Sequence, residues 1–277
     1  MMGLLFYYRN PTFPMDNNFA RKGEKQMLHQ FSRCELAFGP EGLDIMKKSR
    51  VAVLGIGGVG SFTVEALART GIGKLVLVDK DVVDITNCNR QIHATLHTIG
   101  QKKAELMKER IAAINPECEV VTLNMFYSAE TADRLFAHEL DYIVDAMDIM
   151  TAKLHLIEEA KRRNIPIISS MGAANKMDPT RFEVADISET SYDPIAKVIR
   201  RELRKKGIYK GVKVVYSKEI PVEIRTDVRS QIVSDPNSPI SKVRHPPASN
   251  AFVPSVCGLI LASVVVRDLL NWQPVKG

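Results

Sequence analysis

The segment Gly55-Ile56-Gly57-Gly58-Val59-Gly60 constrains this chain more than any other. It follows Val51-Ala52-Val53-Leu54, an apolar run of strand length, and precedes 61–69, which has a helical pattern and stops at Gly71. A glycine-rich turn between a buried strand and a helix lets backbone N–H groups and the helix N-terminus approach a phosphate. The next strand, 74–78, runs into Asp79, where a carboxylate can take both ribose hydroxyls. Strand, turn, helix, strand and acid together imply a nucleotide with an adenosine-like ribose.

The rest of the pattern sets the fold. After the second strand the sequence predicts a helix over 100–114, a strand over 119–123, a helix over 129–137, a strand over 142–144, a helix over 151–163 and a strand over 165–169. Strands alternating with helices of this length require right-handed crossovers. The fold class is therefore α/β, a Rossmann-like, doubly wound and mainly parallel sheet. Ligands then sit at the carboxyl ends of the strands, where the glycines, Asp79 and Asp148 all fall. From residue 172 the pattern changes to a C-terminal mixed α/β insertion. It has strands over 181–185 and 213–216 and a helix over 194–206 between them. Residues 221–250, rich in proline and serine, read as a long mobile loop.

Two apolar segments bear on membranes and targeting. The run 253–266 spans 14 residues before Arg267, short of the roughly 18 a membrane span needs, so it reads as a buried core helix. A membrane-associated C-terminus is the competing reading. The stretch 1–8 is too short for a signal peptide and lacks a small-residue cleavage site, so it reads as an extension, with Met15 as an alternative start. Cys34, Cys88, Cys118 and Cys257 form no Cys-x-x-Cys pair, which excludes a zinc site of the paired-cysteine kind. Scattered thiols without a secretory signal point to a reduced, cytoplasmic protein.

The glycine turn alone also fits a nicotinamide enzyme. The residues beyond Asp79 argue otherwise, because Asn87, Arg90 and Lys103 are cationic or amide groups that hydride transfer does not need. They suit a triphosphate attacked at its α-phosphorus, where they neutralise charge that would repel an incoming carboxylate; Arg90 and Lys103 as solvated surface cations are the competing reading. Lys103 starts a helix, which is unfavourable for a cation unless an anion is near. His93 and His97 lie close by. His93 fits a structural hydrogen-bonder as well as an acid or base. Cys88 and Cys257 read as buried, inert thiols, although a thiol at a helix start, as at Cys257, can have a lowered pKa.

Charge is unevenly spread. From Lys197 to Lys218 there are nine Lys or Arg and one acid, Glu202, a local charge of +8 against +6 for the whole chain. The predicted helix over 194–206 carries Ile195, Val198, Ile199 and Leu203 on one face. Lys197, Arg200, Arg201, Arg204 and Lys205 lie on the other. Such a patch fits a polyanion, an acidic carrier protein, or a solvated helix face.

Gly55-x-Gly57-Gly58-x-Gly60, Asp79-x-Asp81, Asn87-x-x-Arg90-Gln91, Lys103 and Asp145-x-x-Asp148 together resemble the ubiquitin-activating-enzyme-like adenylyltransferase superfamily, which includes the activators of molybdopterin- and thiamine-pathway sulfur carriers. The resemblance implies ATP as cofactor, cradled by the glycines with Asp81 and Gln91 beside them, its ribose on Asp79 and its phosphates on Asn87, Arg90 and Lys103. Asp148 would hold Mg2+ bound to ATP. Arg90, Lys103 and Asp148 would be the catalytic residues. It also implies a homodimer, with Arg33 as the candidate arginine completing the partner's phosphate site.

Within that superfamily the chain lacks the two Cys-x-x-Cys pairs common in sulfur-carrier activators. Instead 55–61, 66–73, 89–94 and Ile114-Asn115-Pro116-Glu117-Cys118, with weaker echoes at Asp178-Pro179-Thr180 and Cys257-Gly258, resemble the tRNA threonylcarbamoyladenosine dehydratases. The resemblance implies ATP-dependent cyclisation of threonylcarbamoyladenosine beside the anticodon. In that scheme 1–29 is an N-terminal extension, 30–171 the adenylation core, 172–250 a basic tRNA-binding insertion and 251–277 a C-terminal helix packed on the core. Lys197, Arg200, Arg201, Arg204 and Lys205 would contact RNA. The partners expected are tRNA, a second copy of the chain and a sulfur-transfer protein, with no DNA and no membrane. Activation of a ubiquitin-like sulfur carrier is the alternative, and a nicotinamide-binding module the third reading.

Overall fold

The computed structural model describes residues 28–229 and 247–272. The expected extension with its alternative start at Met15, most of the expected loop over 221–250, and residues 273–277 lie outside the described residues.

Among the described residues seven strands form one sheet in the order β3-β2-β1-β4-β5-β7-β6. They are β1 (Arg50–Leu54), β2 (Lys74–Val78), β3 (Glu119–Leu123), β4 (Tyr142–Asp145), β5 (Ile167–Ser170), β6 (Phe182–Asp186) and β7 (Lys213–Ser217). All neighbours pair in parallel except β6 and β7, which run antiparallel at one edge. Val51–Leu54 and Leu75–Val78 are buried throughout, as expected of parallel strands covered on both faces.

Helices cover both faces. One apolar layer joins α1 (Ser32–Lys48), α2 (Gly60–Arg69), α3 (Lys103–Ile114) and α8 (Phe252–Leu269) through Met46, Leu67, Met107 and Leu261. The other joins α4 (Ala132–Phe136), α5 (Met150–Arg162) and α6 (Pro194–Lys205) through Leu135, Leu156 and Ile199. A four-residue helix, α7 (Thr226–Arg229), ends the first described segment. In α1, where the sequence had assigned no element, Gly39 interrupts the helix at φ 75° before Pro40.

Several boundaries differ from the sequence reading. Helix α3 begins at Lys103 rather than residue 100, because Lys102 is extended and bridges to Val82. The helix expected over 129–137 shrinks to α4, since Ser128 and Thr131 close a turn with each other ahead of it. The stretch read as an insertion after residue 172 extends the same sheet, with β7 pairing directly to β5. Helix α8 lies on α2, and a Cβ at Gly258 would sit 2.2 Å from the Val59 carbonyl oxygen. That close approach lets half of its apolar window be buried in the core.

Candidate nucleotide-binding site

The strand order reverses direction between β1 and β4, and the glycine turn leaves the carboxyl end of β1 at that point. This is where an open α/β sheet leaves a crevice for a ligand. Gly55 has φ 85°, and a Cβ there would fall 2.6 Å from the Ala146 carbonyl oxygen, so the turn presses against the end of β4. A Cβ at Gly60 would meet the Gly55 oxygen at 1.8 Å. Gly57 differs: the nearest atom to its added Cβ would be Gln91 Nε2 at 3.9 Å. The turn is thus packed from behind at Gly55 and Gly60 and open at Gly57.

Asp79 is locked in orientation. Its Oδ2 accepts the Ile56 N–H at 2.6 Å and its Oδ1 accepts the Asp81 N–H at 2.8 Å. Burial pushes the Asp79 carboxyl above the ordinary carboxylate range, opposed by the charge of Lys103 and by those two backbone donors. Asp81 sits between two lysines, with Lys80 Nζ at 2.9 Å and Lys103 Nζ at 3.4 Å. Burial pushes its carboxyl up, but the two ammonium groups hold it below the usual range.

The loop after β2 folds over the turn. Asn87 is buried and its Oδ1 accepts the Asp84 N–H at 3.1 Å in a capping box, so its amide nitrogen is the end left to donate to a ligand. Arg90 donates to the Thr86 carbonyl at 2.8 Å and to Asn89 Oδ1 at 3.0 Å, and its Cγ lies 3.3 Å from where a Gly58 Cβ would be. Gln91 is 5% exposed, with Oε1 buried and unpaired among the described residues. Lys103 is 7% exposed. Two cations, an amide and a glycine cradle therefore converge at the carboxyl ends of β1 and β2. Asp148 is exposed on the loop after β4, and its charge, like that of Asp79, acts on the Lys80 ammonium that bonds Asp81.

A buried charge cluster underlies that loop, and the sequence reading missed two of its three members. Asp145 Oδ2 accepts from Lys153 Nζ at 2.9 Å and from Ser169 Oγ at 2.5 Å, while Oδ1 accepts the Met147 N–H at 3.1 Å. Lys153 and Asp145 are 1% and 0% exposed. The available signal was a lysine among the apolar positions Ala152, Leu156 and Ile157 of α5.

Other expected residues divide. His93 is buried without a protein partner for either ring nitrogen among the described residues, and burial with the charges of Lys103 and Arg110 pushes its pKa down to about 4. It is neutral near pH 7 and is not the imidazolium a general acid needs. Cys257 stands in the second turn of α8 rather than at its start, and burial pushes its thiol up to about 12. Arg33 is exposed on α1.

The five α6 cations are not equivalent. Arg200 Nη1 donates to the Thr190 carbonyl at 2.8 Å and also contacts Thr190 Oγ1, tying the helix to the loop before it. Its guanidinium is half-buried and engaged in the fold, which corrects the expectation of a surface cation. Arg201 and Lys205 share Glu202, while Lys197 and Arg204 are exposed.

The ThiF family model matches residues 31–276. The tRNA threonylcarbamoyladenosine dehydratase of Bacillus subtilis is 62% identical over 250 residues, covering 90% of this chain and 98% of that protein. The crystal structure of E. coli tRNA N6-threonylcarbamoyladenosine dehydratase, TcdA, in complex with ATP superposes with a TM-score of 0.76 at 33% identity, covering 87% of this chain and 94% of that one. Similarity to the molybdopterin-synthase adenylyltransferase of Salmonella typhimurium is lower, 34% over 164 residues and 57% of this chain.

Proposed function

The chain belongs to the ThiF family, and on that premise we propose that it dehydrates threonylcarbamoyladenosine in tRNA, next to the anticodon, at the expense of ATP. The observation that carries this reading is the 62% identity to a tRNA threonylcarbamoyladenosine dehydratase across almost the whole of both chains. The site supports it. An open glycine cradle, an oriented ribose acid and two cations suit a nucleoside triphosphate whose α-phosphorus must be approached by a carboxylate.

In the proposed sequence a threonyl carboxylate oxygen bonds to the α-phosphorus and pyrophosphate leaves. The carbamoyl group then closes onto the activated carbonyl, losing its proton, and AMP departs with the oxygen that cyclisation expels. Asp79 holds the ribose, Arg90 and Lys103 balance the charge that gathers around phosphorus, and the Asn87 amide donates to the phosphates. Donors fixed in advance act strongly there because they need no reorganisation. The oxygen donor of Asp148 fits Mg2+, which binds through one or two carboxylates plus phosphates. When bound it would neutralise phosphate charge.

The reading extends to a cytoplasmic homodimer in which Arg33 reaches the partner's phosphate site, to RNA contacts along α6, and to a sulfur-transfer protein as an accessory partner. Nucleoside analysis of tRNA from cells with and without this protein tests the function. Loss of the cyclic adenosine with retention of the open form is the expected result. An unchanged modification profile overturns it.

A further inference from the structure

Tyr192 stands in a conformation that needs a reason. It is 74% exposed and has φ 61°, the left-handed region that an aromatic side chain disfavours and that glycine or asparagine adopts at little cost. Backbone strain of this kind persists where the surrounding structure over-determines it, and it clusters at functional sites. Tyr192 lines a surface pocket of about 470 Å3 together with Asp178, Arg181, Lys218, Glu219 and Ile220.

The pocket lies on the same end of the sheet as the nucleotide site. The register Phe182↔Ser217 sets the start of β6 beside the carboxyl end of β7, and the Lys218 N–H donates to the Arg181 carbonyl at 3.1 Å. A chain of hydrogen bonds joins the two sites. Asn89, next to Arg90, donates to the Ser249 carbonyl at 3.1 Å, and Asn250 donates to the Lys176 carbonyl at 2.8 Å. Glu219 then accepts the N–H groups of Met177 and Asp178 at 2.8 and 3.0 Å.

The polarity of the pocket selects its occupant. Asp178 and Glu219 would repel a phosphate lodged inside, whereas a nucleobase edge offers both donors and acceptors and would use the carboxylates and the Arg181 cation alike; the Lys218 ammonium is held by Glu183 at 2.8 Å. The exposed tyrosine supplies a face for stacking, and Ile220, 76% exposed, an apolar wall. Asp193 follows directly as the cap of α6, the helix that carries the exposed cations Lys197 and Arg204.

We propose that this pocket receives an unpaired nucleobase of the RNA substrate, stacked on Tyr192, and so presents the neighbouring reacting adenosine to the nucleotide site. This rests on the assignment of tRNA as substrate. The test uses the full chain with an anticodon stem-loop carrying the open modification, and follows the KM for RNA during AMP release. Tyr192→Phe keeps the stacking face and should behave as wild type. Tyr192→Asn relieves the backbone and removes the face. It should raise the KM for RNA about 10-fold, within the range that loss of one stacked base gives, while calorimetric ATP affinity stays the same. A KM for Tyr192→Asn within about twofold of wild type, below what stacking contributes, overturns the proposal. If wild type itself releases no AMP on this RNA, the functional reading fails instead. The pocket is then read by fluorescence of 2-aminopurine in the loop: quenching by wild type that Tyr192→Asn loses supports the pocket, and equal signals overturn it.

Discussion

Lys153 Nζ lies 2.9 Å from Asp145 Oδ2 in a fully buried ion pair, directly beneath the loop that carries Asp148. The pair spans the end of β4 and the first turn of α5, so it fixes how the chain leaves the sheet at the switch point. Lys153→Met leaves the Asp145 charge buried with Ser169 and one backbone N–H as its remaining donors. It should destabilise the protein by about 3–5 kcal/mol, as breaking a buried pair does. The double variant with Asp145→Asn should recover part of that loss. Urea unfolding of the two variants measures it, and equal stabilities would remove the coupling.

Asp148 and Arg90 are exposed or half-buried, so substitution should act on chemistry rather than on folding. Asp148→Ala is expected to abolish AMP release with tRNA binding nearly intact. Arg90→Ala should slow activation about 10²-fold, the usual loss for one preorganised donor. Single-turnover assays with radiolabelled ATP separate the two effects from binding.

The glycine turn should respond position by position. Gly57→Ala faces open space and should keep the melting temperature while weakening ATP binding. Gly60→Ala drives a methyl into the Gly55 carbonyl and should lower stability outright. Calorimetry and thermal denaturation of both variants test the pair, and a stable, ATP-binding Gly60→Ala would contradict the packing.

The cationic face of α6 divides in the same way. Replacing Lys197, Arg201, Arg204 and Lys205 with Ser should weaken tRNA binding and flatten its salt dependence, by about 0.7–0.9 in log–log slope for each phosphate no longer neutralised. The apolar face (Ile195, Ile199, Leu203) is untouched, so the helix should still pack. Arg200→Ser instead strands the buried Thr190 acceptors, and should cost about 1–3 kcal/mol of stability. An unchanged salt slope in the fourfold variant would make this a solvated face.

His93 ties stability to pH. Its folded pKa of about 4 lies below the ordinary 6.5, so the unfolded chain takes up a proton that the native protein refuses. Stability from this group is therefore present above pH 6.5 and is lost as pH falls toward 4. The loss between pH 7 and pH 5 is about 2 kcal/mol. His93→Leu should remove that part of the acid sensitivity, which urea titrations at the two pH values will show.

Local sequence determined a large part of this protein. The run 51–60 dictates strand, turn and helix: Gly55 is required by its contact with the end of β4 and Gly60 by its contact with the Gly55 carbonyl, neither of which a Cβ would permit. The pattern through residue 170 dictates a parallel sheet because each buried strand is followed by a helix long enough to cross over. The candidate site residues were legible as a group because most belong to one stretch, from Gly55 to Lys103, with Asp148 on the loop after β4. Tertiary structure decided what depends on distant partners. Whether Arg200 faces solvent or Thr190 depends on how the loop before α6 packs, which helical spacing does not encode. Lys153 reads as any helix lysine until β4 and β5 bring Asp145 and Ser169 around it. Residues after 172 change pattern in sequence yet join the same sheet, because pairing of β7 with β5 brings together strands far apart in the chain. The Tyr192 pocket likewise exists only where the ends of β6 and β7 meet the loop after β5.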